Sequence, residues 1–210
     1  MKEYPKIETL WDRDEKTFKV KIGEYRLPEF EYLANLEWVF TEKIDGTNIR
    51  VMWDGTIITF GGKTDNAQMP LFLLKKLQEL FPTSKFVELY PGSDHAMCLY
   101  GEGYGAKIQK GGGNYIRDGV NFILIDIKIG EWWLKREDVE DIATKLTINT
   151  VPIIGTGTLM QASSKAKDGF NSTFGSFPAE GIVMRPRVDL FSRNGQRIIA
   201  KIKTKDFGSG

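Results

Sequence analysis

The spacing of apolar residues along the chain changes period several times, and each change marks an element. Ile49, Val51 and Trp53 alternate with Arg50 and Met52, Asp54-Gly55 supplies a two-residue turn, and Thr56 to Phe60 returns, which predicts a β-hairpin. Upstream, Phe18, Val20 and Ile22 alternate with Lys19 and Lys21 as a short strand, and Pro28 with Glu29-Phe30-Glu31 reads as a connector. After Pro70 the period lengthens: Leu73, Leu74, Leu77, Leu80 and Phe81 recur at three- and four-residue spacing, an amphipathic helix running to Pro82. Ala96 to Tyr100 and Asn121 to Ile127 are apolar runs of strand length, Trp132-Trp133-Leu134 continues a sheet, and Arg136 to Leu146 returns to helical spacing. Val151 to Gly157 reads as a strand, Leu159 to Lys167 as a helix, and Asp168 to Pro178 as a loop.

The last two segments are short and strand-like, Ala179 to Arg185 and Arg197 to Lys205. Period-two geometry puts Lys201, Lys203 and Lys205 on one face of the second, with Ile202 on the other. Such a row is either a solvated edge or an anion site. No repeat or low-complexity linker divides the chain, so the expected fold is α+β, with antiparallel sheets flanked by helices in one domain over residues 1–207 and a flexible tail at 208–210.

Composition narrows the chemistry. With one histidine, His95, and one cysteine, Cys98, disulfides, zinc sites built on Cys/His clusters and catalysis by a Cys-His or Ser-His pair are nearly excluded. No stretch of about 18 apolar residues is present to span a bilayer and the start lacks a signal-peptide core, so a cytoplasmic, monomeric protein without membrane contact is expected. The 29 basic and 28 acidic residues nearly cancel, so a polyanion would have to meet a local patch.

Three polar features then stand out. Lys43 lies two residues before Asp45-Gly46, which reads as a tight turn beside a sheet. Glu102, framed by Gly101 and Gly103, is expected at a strand terminus where glycine permits close approach. Asp126 interrupts an apolar run, where an unpaired charge is costly. Lys110-Gly111-Gly112-Gly113-Asn114 lacks the pattern of a phosphate-binding loop and reads as a mobile surface loop.

Taken in series, Lys43-Ile44-Asp45-Gly46-Thr47-Asn48, Gly101-Glu102-Gly103, Phe122 to Ile127, Glu180-Gly181-Ile182-Val183 and Lys201-Ile202-Lys203 resemble motifs I, III, IIIa, IV and V of the covalent nucleotidyltransferases, the superfamily of polynucleotide ligases and capping enzymes. Glu42-Lys43 and Asn48 are similar to the phage and RNA-editing type of RNA ligase, whereas DNA ligases and capping enzymes usually carry Arg in place of Asn48. Lys63 falls where these ligases commonly have a motif Ia Arg, and it lacks the bidentate fork.

The resemblance implies an ATP-grasp-like nucleotidyltransferase fold and an ATP-dependent RNA ligase that forms a lysyl-AMP, transfers AMP to a 5′-phosphate and seals it to a 3′-hydroxyl. Lys43 would be the nucleophile, with Lys201 and Lys203 at the α-phosphate. Glu180 would help hold Mg²⁺ or Mn²⁺, and Glu102 the ribose. Glu42, Ile44, Asn48, Lys63, Ile125, Asp126 and Val183 would complete the nucleotide site, with Ile125 and Val183 packing on the base. No C-terminal OB-fold domain is expected after motif V. Rival readings are a small DNA ligase, a guanylyltransferase, or a module that binds nucleic-acid ends without catalysis.

Overall fold

A computed structural model describes residues 3–91 and 95–208, so Ser209 and Gly210 of the expected tail lie outside the described residues. Its contacts divide the chain into two compact units. The central unit runs from Asp45 to Val151 with the N-terminal residues through Tyr4; the flanking unit joins Pro5–Ile44 to the segment from Pro152 onward.

In the flanking unit, β1 (Glu8–Thr9), β2 (Trp11–Arg13), β3 (Val20–Tyr25), α1 (Pro28–Tyr32) and β4 (Trp38–Lys43) precede the central unit. The predicted strand at 18–22 is shifted: Phe18 sits in the β2–β3 turn with φ 58° and is exposed, while the connector at Pro28 is helical, as Pro at the first turn allows. β11 (Ile153–Gly157), α6 (Leu159–Asp168), β12 (Gly181–Pro186) and β13 (Ala200–Lys203) complete it, followed by a 3₁₀ turn over Thr204–Phe207. That turn ends the sheet at Lys203, so Lys205 does not join the row of Lys201 and Lys203. The strands order as β1-β13-β12-β4-β11, antiparallel except for β1 against β13. One face of this sheet carries Phe40, Ile182, Met184 and Ile202 into a core with Leu10, Trp11, Phe30, Trp38, Leu159 and Ala162. Trp11 Nε1 donates to Ser163 Oγ at 2.8 Å, which satisfies a buried indole. α6 starts with a capping box between Thr158 and Gln161.

The central unit holds β5 (Thr47–Trp53), β6 (Ile58–Gly61), α2 (Leu71–Leu80), α3 (Thr83–Leu89), β7 (Met97–Gly105), α4 (Gly112–Tyr115), β8 (Val120–Ile129), β9 (Trp132–Trp133), α5 (Arg136–Leu146) and β10 (Asn149–Thr150). Its sheet orders as β10-β8-β7-β5-β6, with β9 beside β8 and only β10 parallel to its neighbour. The predicted hairpin and both long helices form where their periods change. The alternation in β5 divides the sheet into two faces: Ile49, Val51 and Trp53 join Leu99, Phe122, Leu124 and Ile127 under Leu73, Leu77, Phe81, Val139, Ile142 and Leu146, while Asn48 and Arg50 stand on the opposite side. The fold is therefore α+β, with mainly antiparallel sheets flanked by helices.

Two features differ from the patterning. β7 extends through Gly105, so Glu102 lies inside the strand. The glycine-rich segment after Lys110 folds into α4, with Ile116 N–H returning to Gly112 C=O at 3.2 Å.

Candidate functional site

Antiparallel register sets the charged row of the flanking unit. Gly181 on β12 is directly opposite Lys43 on β4 and Lys203 on β13, so both lysines rise from the same face with a side-chain-free position between them. Glu180, the residue before Gly181, fills that space: Lys43 Nζ lies 2.7 Å from Oε2 and Lys203 Nζ 2.6 Å from Oε1. The three side chains are only 12–26% exposed, so these ion pairs are partly shielded from water. Two residues along the same face, Val183 is opposite both Thr41 and Lys201. Lys201 borders an open cavity of about 330 Å³ that Lys6, Arg13 and Arg26 share with Glu8 and Asp12.

The chain around this row is held by groups that motif spacing does not flag. Thr204 donates from its N–H to Glu180 C=O at 2.9 Å and from Oγ1 to Ala179 C=O at 3.2 Å. Asp206 Oδ2 accepts the Lys203 N–H at 3.0 Å, and Oδ1 pairs with Arg13 at 2.8 Å. An acid three residues after a strand-ending Lys is the signal that could have been read, since it is the spacing of an N-terminal helix cap.

Glu42 follows the opposite parity. It is opposite Ile182, on the core face, and is 1% exposed. Its carboxylate accepts from Ser172 Oγ at 2.5 Å, Thr173 N–H at 2.9 Å and Thr173 Oγ1 at 2.6 Å. The loop at 169–178 thus stabilises a buried carboxylate with three hydrogen bonds from neutral donors.

In the central unit Asn48 is opposite Glu102, and Asn48 Nδ2 donates to Glu102 Oε2 at 2.8 Å. Arg50, Tyr100 and Asp126 form the next row on that face. Asp126 is 1% exposed and accepts a hydrogen bond from the Tyr4 hydroxyl, whose ring packs on Tyr100 and Trp133. Burial pushes the Tyr100 phenol far above its ordinary range, keeping it neutral. Between the pairs Tyr100–Asp126 and Gly101–Leu124 the register slips by one, which leaves Ile125 as the extra residue of a β-bulge. Such a bulge re-aims a side chain, and Ile125 is half-buried within an otherwise closed run. Lys63 is exposed on the loop after β6, and Arg50 reaches that loop through Gly62 C=O at 2.9 Å and Asp65 at 2.7 Å. Gly46 belongs to the central unit and has an ordinary φ; a side chain there would meet Gly103 C=O at 2.3 Å, so close packing requires the glycine. Ile44, at the end of the flanking segment, is buried.

The donor set bears on metal binding. Among the described residues no group of three or more His, Cys, Asp or Glu side chains could hold an ion. Glu180 offers one carboxylate among cations, which suits an ion that keeps waters and takes its other ligands from phosphates.

Comparison with known proteins bears on the fold and the family. Three solved structures of a Naegleria gruberi RNA ligase share the fold. The form with PPi is 20% identical with a TM-score of 0.64, covering 97% of this chain and 62% of that one. A variant with ATP and Mn is 18% identical with a TM-score of 0.65 and coverages of 94% and 59%. An apo variant is 19% identical with a TM-score of 0.66 and coverages of 98% and 63%. The chain thus spans about three fifths of the ligases it matches. A search of curated protein sequences gave no match. The RNA ligase family model matches residues 36–203, and the chain belongs to the RNA ligase family.

Proposed function

We propose that this protein is an ATP-dependent RNA ligase whose first step adenylylates Lys43. The observation that carries the reading is the convergence of Lys43 and Lys203 on Glu180, 2.7 and 2.6 Å away, beside the Lys201 row. Similar ligases in complex with ATP and Mn, and with AMP and Mn, support ATP and a divalent ion as its reactants.

An ammonium has no lone pair, so Lys43 must lose its proton to water before it attacks; Glu180 Oε2, 2.7 Å away, holds the Lys43 side chain in place. Lys43 Nζ then forms a bond to the α-phosphorus of ATP as the bond to pyrophosphate breaks. Lys201 and Lys203 neutralise the charge that gathers on the α-phosphate oxygens. Glu180 would hold the divalent ion, which when bound shields the phosphates and makes pyrophosphate a better leaving group. Glu102, oriented by Asn48, accepts from the ribose hydroxyls. Ile44, Ile125 and Val183 supply apolar contact for the base, Lys63 a cation for phosphate, and Asp126 a fixed acid beside Ile125, whereas Glu42, buried on the core face and held by Ser172 and Thr173, supports the strand rather than the base. An oxygen of an RNA 5′-phosphate next attacks the AMP phosphorus and releases Lys43. Finally a 3′-hydroxyl attacks that 5′-phosphate, and AMP departs as the phosphodiester forms. Residues 1–207 constitute the nucleotidyltransferase domain on this reading.

The test is retention of label after denaturation. With Mg²⁺ and α-labelled ATP the wild-type chain becomes labelled, GTP gives no label, and Lys43→Ala abolishes labelling. Label on the Lys43→Ala variant, or label from GTP alone, overturns the assignment.

A further inference from the structure

The connection between β7 and β8 is longer than its geometry requires. Gly105 and Val120 are opposite one another in an antiparallel pair that a hairpin loop of about two to five residues could join. Residues 106–119 intervene instead. Their base is closed by Ala106 N–H to Gly119 C=O at 2.9 Å, Ile108 packs on the central core, and α4 forms within them. A compact loop with adjoining ends and internal order is a common carrier of function.

The loop is fixed to one place. Gln109 Nε2 donates to Gly46 C=O at 2.9 Å, and Tyr115 Oη accepts the Asp45 N–H at 3.2 Å while its ring meets Tyr104 edge-on at 5.8 Å. Asp45 and Gly46 are the residues that follow Lys43-Ile44 in the chain. What the loop turns to solvent is cationic: Lys107, Lys110 and Arg117 are exposed, against the single acid Asp118. In a chain of 29 basic and 28 acidic residues, that is a local excess rather than a sample of the average. None of the three cations is needed for the steps assigned to ATP above.

We propose that the loop at 106–119 is a nucleic-acid contact surface, where Lys107, Lys110 and Arg117 bind backbone phosphates of the RNA strand to be sealed. The inference rests on the ligase reading for the identity of the strand, but its physics is separate. Backbone phosphates fix a strand's position without reading its sequence, and each contact releases counterions. Anchoring the loop on Asp45 and Gly46 ties the bound strand to the segment that leads to Lys43.

The experiment measures binding of a 5′-phosphorylated single-stranded RNA by fluorescence anisotropy across a KCl series. The triple variant Lys107→Ala/Lys110→Ala/Arg117→Ala should bind on the order of tenfold more weakly near physiological salt, and its log–log salt slope should be shallower by about 2, from roughly 0.7 per lost contact. A control triple, Lys16→Ala/Lys19→Ala/Lys21→Ala, removes the same charge from the exposed β2–β3 hairpin and should leave affinity and slope unchanged. Melting temperatures check that both variants fold. Wild-type protein that binds no RNA, a loop variant with unchanged slope, or an equal loss in the control overturns the proposal. Failure of lysyl-AMP formation would instead overturn the activity reading and leave this binding result standing.

Discussion

In the flanking unit Glu180 faces two ammonium groups, whereas in the central unit Glu102 and Asp126 accept hydrogen bonds from the neutral donors Asn48 and Tyr4. The two arrangements suit different tasks. A carboxylate between lysines makes partners that can be exchanged: an incoming polyphosphate competes for both ammonium groups and frees the acid for other ligands. A carboxylate oriented by an amide or a phenol has a fixed direction, which suits recognition of hydroxyl groups. The comparison also locates fragility. The charged row depends on backbone register around a side-chain-free position, and the Asn48 and Tyr4 contacts depend on side-chain donors.

The largest effect is therefore expected at Gly181. A Cβ there would stand 2.2 Å from Ile202 C=O and 2.7 Å from Lys203 Cα, backbone atoms that cannot rotate away. Gly181→Ala should force β12 and β13 apart, cost about 3 kcal/mol and abolish lysine labelling. Thermal unfolding and the labelling assay check it together; a variant that melts like wild type would remove register as the cause of the Lys43–Glu180–Lys203 geometry.

Asp206 comes next. Its buried carboxylate joins Arg13 to the Lys203 N–H, and Asp206→Ala strands both donors. Arg13 is 33% exposed and can recover water, so the expected loss is about 2 kcal/mol rather than the larger figure for a fully buried pair. Denaturant unfolding measures it. Arg13→Ala should cost less, since Asp206 keeps the Lys203 N–H; the reverse order would mean that the ion pair, not the backbone bond, holds the strand end.

Much of this was legible beforehand because it is local. The β5–β6 hairpin follows from alternation and Asp54-Gly55, and α5 occupies the predicted Arg136–Leu146. The order of Lys43, Glu102, Glu180, Lys201 and Lys203 was readable as motifs. What was not legible comes from long-range pairing and from single-residue slips. β4 pairs with β11 and β12, over a hundred residues away in the chain, rather than with the adjacent β5, and that choice separates Lys43 and Asn48 into different units. The bulge at Ile125 breaks a parity that the run cannot reveal, because Phe122 to Ile125 are apolar at both parities and leave Asp126 as the one polar marker. Glu42 was grouped with Lys43 by motif, although period-two geometry alone puts adjacent strand residues on opposite faces. The glycines at 111–113 suggested mobility, yet Gly112 packs against the Gly105 carbonyl and the segment is helical.

The smallest effect sharpens the comparison most. Asn48→Ala removes the 2.8 Å bond to Glu102 and touches no charged pair. Glu102 is 8% exposed and keeps further partners, so the stability loss should be near 1 kcal/mol, below that of Asp206→Ala. Its functional signature should differ as well. With the amide no longer directing the carboxylate, ribose binding weakens, and the ATP concentration for half-maximal lysine labelling should rise by roughly tenfold while the saturating rate changes little, the pattern of lost uniform binding. A fall in the saturating rate with unchanged ATP dependence would place Asn48 with Lys43 and Glu180 in the reacting row, and the contrast between exchanging and orienting carboxylates would fail.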